Sequence, residues 1–473
     1  MRTNTIRGKL RLSDHFTYGR LIKFTFPSII MMIFTSIYGV IDGFFVSNFA
    51  GKTPFAAVNL IMPVLMILGT VGFMFGTGGT AIVAKTYGEG DIKKANSYFS
   101  LFVYVVFGTG ILLAALGFIY IRPISLLLGA SGGLLSNCVT YARIILAALP
   151  FYVLQVMFQS FFVAAEKPQL GLTVTILSGA TNMILDALLV ILLPKELKLA
   201  GAAIATAMSQ VVGGIIPLFY FFRKNSSILR LGKTEFNGRA ILKSCMNGSS
   251  EFMSNISMNL VGILYNMQLM KYAGENGVAA YGVMMYVSMI FSAAFVGYSI
   301  GTAPIVGYHD GAKNYAELKS LLFRSLIMIG IFGIGMVILA ELLAVPLAGI
   351  FVGYDRELMK LTVSGFRIFA LSFVFMGFAI FASGFFTALN DGVTSAIISF
   401  LRTMVFQAAA IMLLPMIFGI GGVWISIVVA EVMAVVFSAG FLIAKRQKIF
   451  SGGRVSPALP AVAGRRRKPE QQY

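Results

Sequence analysis

Residues 76–95 read GTGGTAIVAKTYGEGDIKKA, and residues 299–316 read SIGTAPIVGYHDGAKNYA. Gly79-Thr80-Ala81 meets Gly301-Thr302-Ala303, and Gly90 meets Gly311 after a one-residue indel. Further along, Leu193-Pro194 and Gly201 recur as Leu414-Pro415 and Gly422, so the offset is 221–222 residues throughout. The chain reads as one unit used twice. GTGGTA (76–81) fits the G-x-G-x-x-A of a dinucleotide-binding turn, but that motif needs a preceding strand. Here it closes a long apolar run, where small residues let membrane helices approach closely.

Working outward, such runs fill the chain. Of its 473 residues 58% are hydrophobic and 12% charged, against roughly 25% charged in soluble domains. Mean hydropathy is +0.86. Each spanning helix needs about 20 apolar residues to cross a core of about 30 Å. Backbone groups in lipid must be paired within the segment, and unbroken runs favour helices over the short alternating strands of a barrel. The expected spans are 21–46, 55–86, 97–120, 137–163, 168–192, 200–222, 242–268, 278–307, 320–344, 358–387, 394–416 and 420–444. The fold class expected is an all-α integral membrane protein: twelve transmembrane helices in two six-helix bundles related by a parallel internal repeat.

The formal charge is +19. Most of the Lys and Arg, including Arg11, Lys85, Lys93, Lys167, Arg239, Lys313 and the C-terminal basic run, fall on one side of this topology. Only Lys52, Arg122, Lys195, Lys198, Lys271, Arg356 and Lys360 fall on the other. The positive-inside rule then puts both termini in the cytoplasm of a multi-pass plasma-membrane protein. The expected divisions are a cytoplasmic segment 1–20, a lobe 21–222, a cytoplasmic linker 223–241, a second lobe 242–444 and a basic, disordered tail 445–473. No cleavable signal peptide is expected. Cys138 and Cys245 lie far apart without a CxxC, so no disulfide framework or zinc site is expected. There is no P-loop, HExxH or nucleophile elbow, which argues against an ATP-binding site and an enzyme. No soluble face gathers the basic residues for nucleic acid.

Local patterns add a resemblance. The first span carries Pro27 and then YGVIDGFFVSNFAG with Asp42. The second ends GTGGTAIVAKTYGEGD; the fourth runs PFYVLQVMFQSFFVAAEKP; the fifth holds SGATNMILDALLV with Asn182 and Asp186; the sixth opens GAAIATAMSQ. In this order the patterns over roughly 15–448 resemble multidrug and toxic compound extrusion (MATE) transporters. The resemblance implies two bundles forming a V around a central cavity. It also implies antiport of a cation, H⁺ or Na⁺, against organic, often cationic, drugs or toxic compounds, with no cofactor. Asp42, Asn182, Asp186 and Thr206 match the family's cation-coupling cluster, and Pro27 its first-helix proline, whose bend accompanies coupling. Glu251 lies in the seventh span, where one branch of the family has an acid; the tenth span, 366–387, has none.

The acids have a physical reading too. An Asp at mid-span costs about 2.5–3.5 kcal/mol on insertion scales and normally faces a bundle interior or wet cavity. Asp42 and Asp186 are about 21 and 18 residues into spans that start on the same side, hence at roughly 27–32 Å depth. Asn182 is one turn from Asp186 on the same face. Two close carboxylates repel in low dielectric, so the pair holds a proton or a Na⁺ held by Asp42, Asn182 and Asp186. Elsewhere, an Arg402–Glu251 or Arg402–Glu431 pair would neutralise buried charge. Arg143 and Glu341 lie near helix ends and snorkel; Arg367 has no evident partner. Phe151, Gln155, Phe158 and Gln159 in span four, and Met284, Met285 and Met289 in span eight, are candidates for an apolar, adaptable cavity wall. The alternative function is a flippase for a lipid-linked saccharide, from the same wider superfamily. It would need a basic cavity, and span one offers an Asp with no Arg beyond its cytoplasmic end.

Overall fold

The computed structural model describes residues 10–353 and 355–451, and the described residues are helical with no strand. The helices are α1 (Tyr18–Phe45), α2 (Lys52–Gly88), α3 (Ile92–Leu127), α4 (Gly132–Ala164), α5 (Pro168–Leu192) and α6 (Lys198–Phe222) in the first half. The second half has α7 (Gly238–Gly311), α8 (Tyr315–Val352), α9 (Arg356–Ala370), α10 (Ser372–Ala388), α11 (Gly392–Phe400), α12 (Gln407–Phe418), α13 (Ile420–Ala444) and the short α14 (Arg446–Ser451).

Twelve spans follow once three departures from straight helix are read. At about 1.5 Å per residue the 74 residues of α7 would run about 110 Å. They break instead at Gly274, whose φ of 61° and ψ of −151° only glycine adopts easily, giving two arms, 238–273 and 275–311. α9 and α10 form one span bent by 44° at Leu371, inside what the sequence shows as a single apolar run. α11 and α12 join through a π-helical segment, Leu401–Phe406. With α1–α6, α8 and α13 the total is twelve, six per lobe.

Local chemistry sets the helix ends on one side of the molecule. α2, α4, α7 and α10 all finish with a left-handed residue: Gly90, Glu166, Lys313 and Asn390, at φ of 89°, 59°, 54° and 60°. In each, the next amide bonds back five residues, for example Lys167 N to Phe162 O at 2.8 Å and Asn314 N to His309 O at 2.9 Å. Asp91, Asn314 and Asp391 then cap α3, α8 and α11 with side-chain oxygens.

These same turns bring the lobes together. A Cβ on Gly88 would meet Tyr308 O at 2.0 Å and the Ala312 amide; one on Gly311 would meet Lys85 O at 2.0 Å and the Glu89 amide. Gly78 lies against Gly248, and Gly301 against Thr25. Both reciprocal pairs are related by 223 residues. This corrects the alignment read from the sequence: Gly311 answers Gly88, not Gly90, and Gly301 answers Gly78, not Gly79. One residue turns a helix face by about 100°, so only the corrected register puts both glycines on the contact. Leu193-Pro194 and Leu414-Pro415 are also not equivalent, since Pro194 lies beyond α5 and Pro415 inside α12. The lobes are pinned further by Lys85–Asp310 (2.7 Å) and by Asn390, which donates to Ala81 O at 3.2 Å. Past Ile29 on α1 and Met74 on α2, no further glycine among the described residues records a backbone contact between lobes.

Three connecting segments are more ordered than their composition suggests. Residues 10–17 strap the closed end. Leu12 N donates to Glu166 of the first lobe (2.8 Å) and Phe16 N to Glu317 of the second (2.9 Å), with both apolar side chains buried. The linker lies along α3: Arg230 N donates to Asn96 Oδ1 and Gly232 N to Ser100 Oγ. The tail expected to be disordered from 445 begins as a helix, because Lys445 pairs with Asp391 at 2.6 Å and Ile449 is buried. Its remainder, 452–473, lies outside the described residues.

Candidate cation site

α1, α4, α5 and α6 enclose a polar pocket in the first lobe. Thr206 Oγ1 on α6 donates to Asp42 Oδ1 on α1 at 3.1 Å, and Asn182 Nδ2 on α5 reaches Thr206 Oγ1 at 3.5 Å. Asp186, one turn along α5, faces Asp42 closely enough for the two carboxyls to interact. Asp42, Asn182 and Asp186 are all buried. Both Asp186 oxygens and Asn182 Oδ1 are buried without a hydrogen-bond partner in the protein. Buried acceptors are rarely left so. Three orphan oxygens beside a second carboxylate suit a proton shared between the acids, which converts an acceptor into a donor, or a small oxygen-loving cation. The four residues matched by resemblance are thus brought together. Pro27 is not among them: it lies 15 residues before Asp42 on α1, roughly 22 Å away, next to the Ser28–Ile29 contact with Gly297 of the other lobe.

Sequence reasoning missed part of the surround. Tyr141 on α4 is fully buried beside Thr206 and both acids, and its hydroxyl has no partner bond. Tyr38, one turn before Asp42, reaches Gln155. Gln155 Nε2 donates to Ser178 Oγ at 3.0 Å, Ser178 Oγ to Ser209 O at 2.7 Å, and Ser209 Oγ to Thr206 O at 2.8 Å. Helical spacing was the available signal: Tyr38 and Ser178 each stand four residues before a site residue, so they share its face. Tyr141 carried none.

Most of the residues expected along a cavity wall lie in packing in this structure. Phe158 is packed among Phe99, Phe162 and Phe221 inside the lobe. Gln155 fills the notch left by Gly213, where a Cβ would meet its Cδ at 2.5 Å, and Gln159 is buried. Phe151 is half-buried against Phe107. The reason is the position of α4, which packs on α2, α3 and α6 and buries 78% of its apolar window. Met284 is sealed against Gly365 and Trp424 in the second lobe's core. Met285 is half-buried and Met289 exposed, so these two remain available.

The second lobe treats charge differently. Arg402, in the π-helical segment, binds Glu431 through Nε (3.0 and 2.9 Å) and Nη2 (2.8 Å). Of the two pairings open to Arg402, this is the one made; Glu251's carboxylate has no ion pair among the described residues. Arg367 finds Glu341 at 3.3 Å. No cluster of three His, Cys, Asp or Glu side chains able to hold a metal occurs among the described residues.

The profile of the MatE family matches this chain twice, over residues 27–188 and 252–413, one match per lobe. The multidrug export protein MepA of Staphylococcus aureus (strain MRSA252) is 24% identical over 418 residues, covering 88% of this chain and 91% of that protein. MepA of Staphylococcus haemolyticus is 24% identical over 431 residues, covering 90% and 93%. A crystal structure of MATE in complex with MaL6 superposes with a TM-score of 0.86 at 22% identity, covering 92% of this chain and 97% of that one.

Proposed function

This chain belongs to the MatE family, whose members are membrane transporters and not enzymes, and from that premise we propose that it exports small organic compounds in exchange for a cation taken at Asp42 and Asp186. The observation that carries the reading is the buried acid pair, whose orphan oxygens have no partner within the protein. The MepA relatives are multidrug exporters, which favours varied, mostly cationic, organic substrates here.

The exchange follows from the charge balance. With both carboxylates bare, repulsion across a low-dielectric pocket pushes α1 from α5. A proton, or a Na⁺ accepting lone pairs from Asp42, Asp186, Asn182 and Thr206, removes that repulsion and lets them close. α1 also forms the lobe contact through Thr25, Ser28 and Ile29. Movement at Asp42 therefore reaches the closed end along one helix, which carries Pro27 within that contact, where a missing amide makes bending cheap. The positive-inside count makes the closed end cytoplasmic, so the V faces outward and the lobes rock to alternate access. Met285 and Met289 offer the adaptable surface.

The test is efflux of a fluorescent organic cation from proteoliposomes, with ΔpH and Na⁺ gradients imposed separately. Efflux driven by one gradient and lost in Asp42→Asn supports the exchange and names the ion. Gradient-independent behaviour of intact reconstituted protein would remove it.

A further inference from the structure

α3 and α6 diverge where α4 passes between them, and the surface there is a groove of about 480 Å³ on the outside of the first lobe. Its walls are Phe118, Ile144, Ile204, Met208 and Val211, and it holds one charged group, Arg143. α4 is otherwise the most enclosed helix of its lobe, yet Arg143 is exposed. Its guanidinium makes no salt bridge and no hydrogen bond among the described residues. Arg143 stands 11 residues from the start of α4, about 16 Å along its axis. The 33 residues of α4 run about 50 Å against a core of about 30 Å, so Arg143 sits just inside the hydrocarbon boundary. Helical side chains lean toward the helix N-terminus, which for α4 is the near membrane surface. The cation is thereby delivered to headgroup depth while the groove below stays apolar.

An unpaired arginine at this depth needs an anion, and no protein group supplies one. We propose that the α3–α4–α6 groove binds an anionic glycerophospholipid of the leaflet remote from the lobe contact, its phosphodiester on Arg143 and an acyl chain along Ile204, Met208 and Val211. Planar guanidinium suits phosphate, and net negative charge on the headgroup completes the neutralisation. The groove backs directly onto the acid pair: Tyr141 and Thr206 face inward, Arg143 and Ala207 outward.

Purified protein exchanged into mixed phosphatidylglycerol–phosphatidylcholine nanodiscs, then stripped with mild detergent, would be analysed by quantitative mass spectrometry for retained lipid. The wild type should retain phosphatidylglycerol over phosphatidylcholine by about tenfold, and Arg143→Gln should remove that preference. Ala147→Phe, at an exposed position lining the groove, fills the acyl slot with the charge intact and should lower retention of both lipids. Equal retention of the two lipids by the wild type overturns the proposal. So does an undiminished preference in Arg143→Gln, or undiminished retention in Ala147→Phe. Thermal midpoints of both variants confirm that each is folded.

Discussion

In the first lobe Asp42 and Asp186 share a pocket, and among the described residues no Lys or Arg is paired to either. In the second, Glu431 is gripped by Arg402 through contacts of 2.8–3.0 Å. The 223-residue offset that relates the lobe contacts puts Tyr265 at the place of Asp42, its ring stacked on Tyr281 at 5.0 Å and 2°. A carboxylate satisfied from within has nothing to trade, whereas two that face each other gain from any cation that arrives. The two copies share the scaffold and differ in how they hold charge: the first keeps two facing carboxyls, the second a neutralised pair.

The largest effect that would break this comparison is in transport. Asp186→Asn should cut gradient-driven efflux about a hundredfold or more in proteoliposomes, equivalent to some 2.7 kcal/mol. Glu431→Gln should leave the gradient dependence in place; loss of ion dependence in a folded Glu431→Gln protein would refute the comparison. Stability should show the reverse pattern. Breaking the second-lobe pair singly, as in Arg402→Met, should cost about 3–5 kcal/mol, and the double change Arg402→Met with Glu431→Leu should restore most of it. Thermal unfolding of the four proteins gives the coupling.

A smaller effect sharpens the symmetry. Gly88→Ala and Gly311→Ala each drive a methyl into a facing carbonyl at 2.0 Å. Each should disfavour the closed end by about 1–3 kcal/mol. Spin labels at the exposed positions 93 and 319 would report longer distances in both variants, and to similar extents if the contact is two-fold.

The smallest effect is on pH. Burial pushes the Asp391 carboxyl up, but Lys445 and the Thr394 hydroxyl outweigh it and hold the group below the usual carboxylate range. A lowered folded value stabilises above the unfolded value of about 4 and is lost as pH falls through the folded one. Asp391→Asn should therefore lose at most about 1 kcal/mol near neutrality and flatten the acid limb of the stability curve.

The spans were legible because twenty apolar residues admit few readings, and the pairing of Asp42 with Asp186 because equal depth on neighbouring helices is countable. Three things were not. The register of the repeat slips by a residue or two, since Gly78 and Gly79 look alike in a string and differ only in the face they present. The centrality of α4 comes from its neighbours on every side, which its own residues do not announce; hence Phe158 and Gln155 were expected in a cavity and lie in packing. The bend at Leu371 has no glycine or proline to mark it.

The strap at residues 10–17 sets a limit on travel. Its two anchors, Leu12 on Glu166 and Phe16 on Glu317, belong to different lobes. Four residues of chain reach at most about 14 Å. The lobes can part at that end only within this leash while both bonds hold; a wider stroke requires the strap to let go of one partner. The buried Leu12 and Phe16 side chains pack in a cluster drawn from both lobes, with Phe24 and Val163 of the first and Phe295 and Leu318 of the second, so the strap is seated on the seam itself.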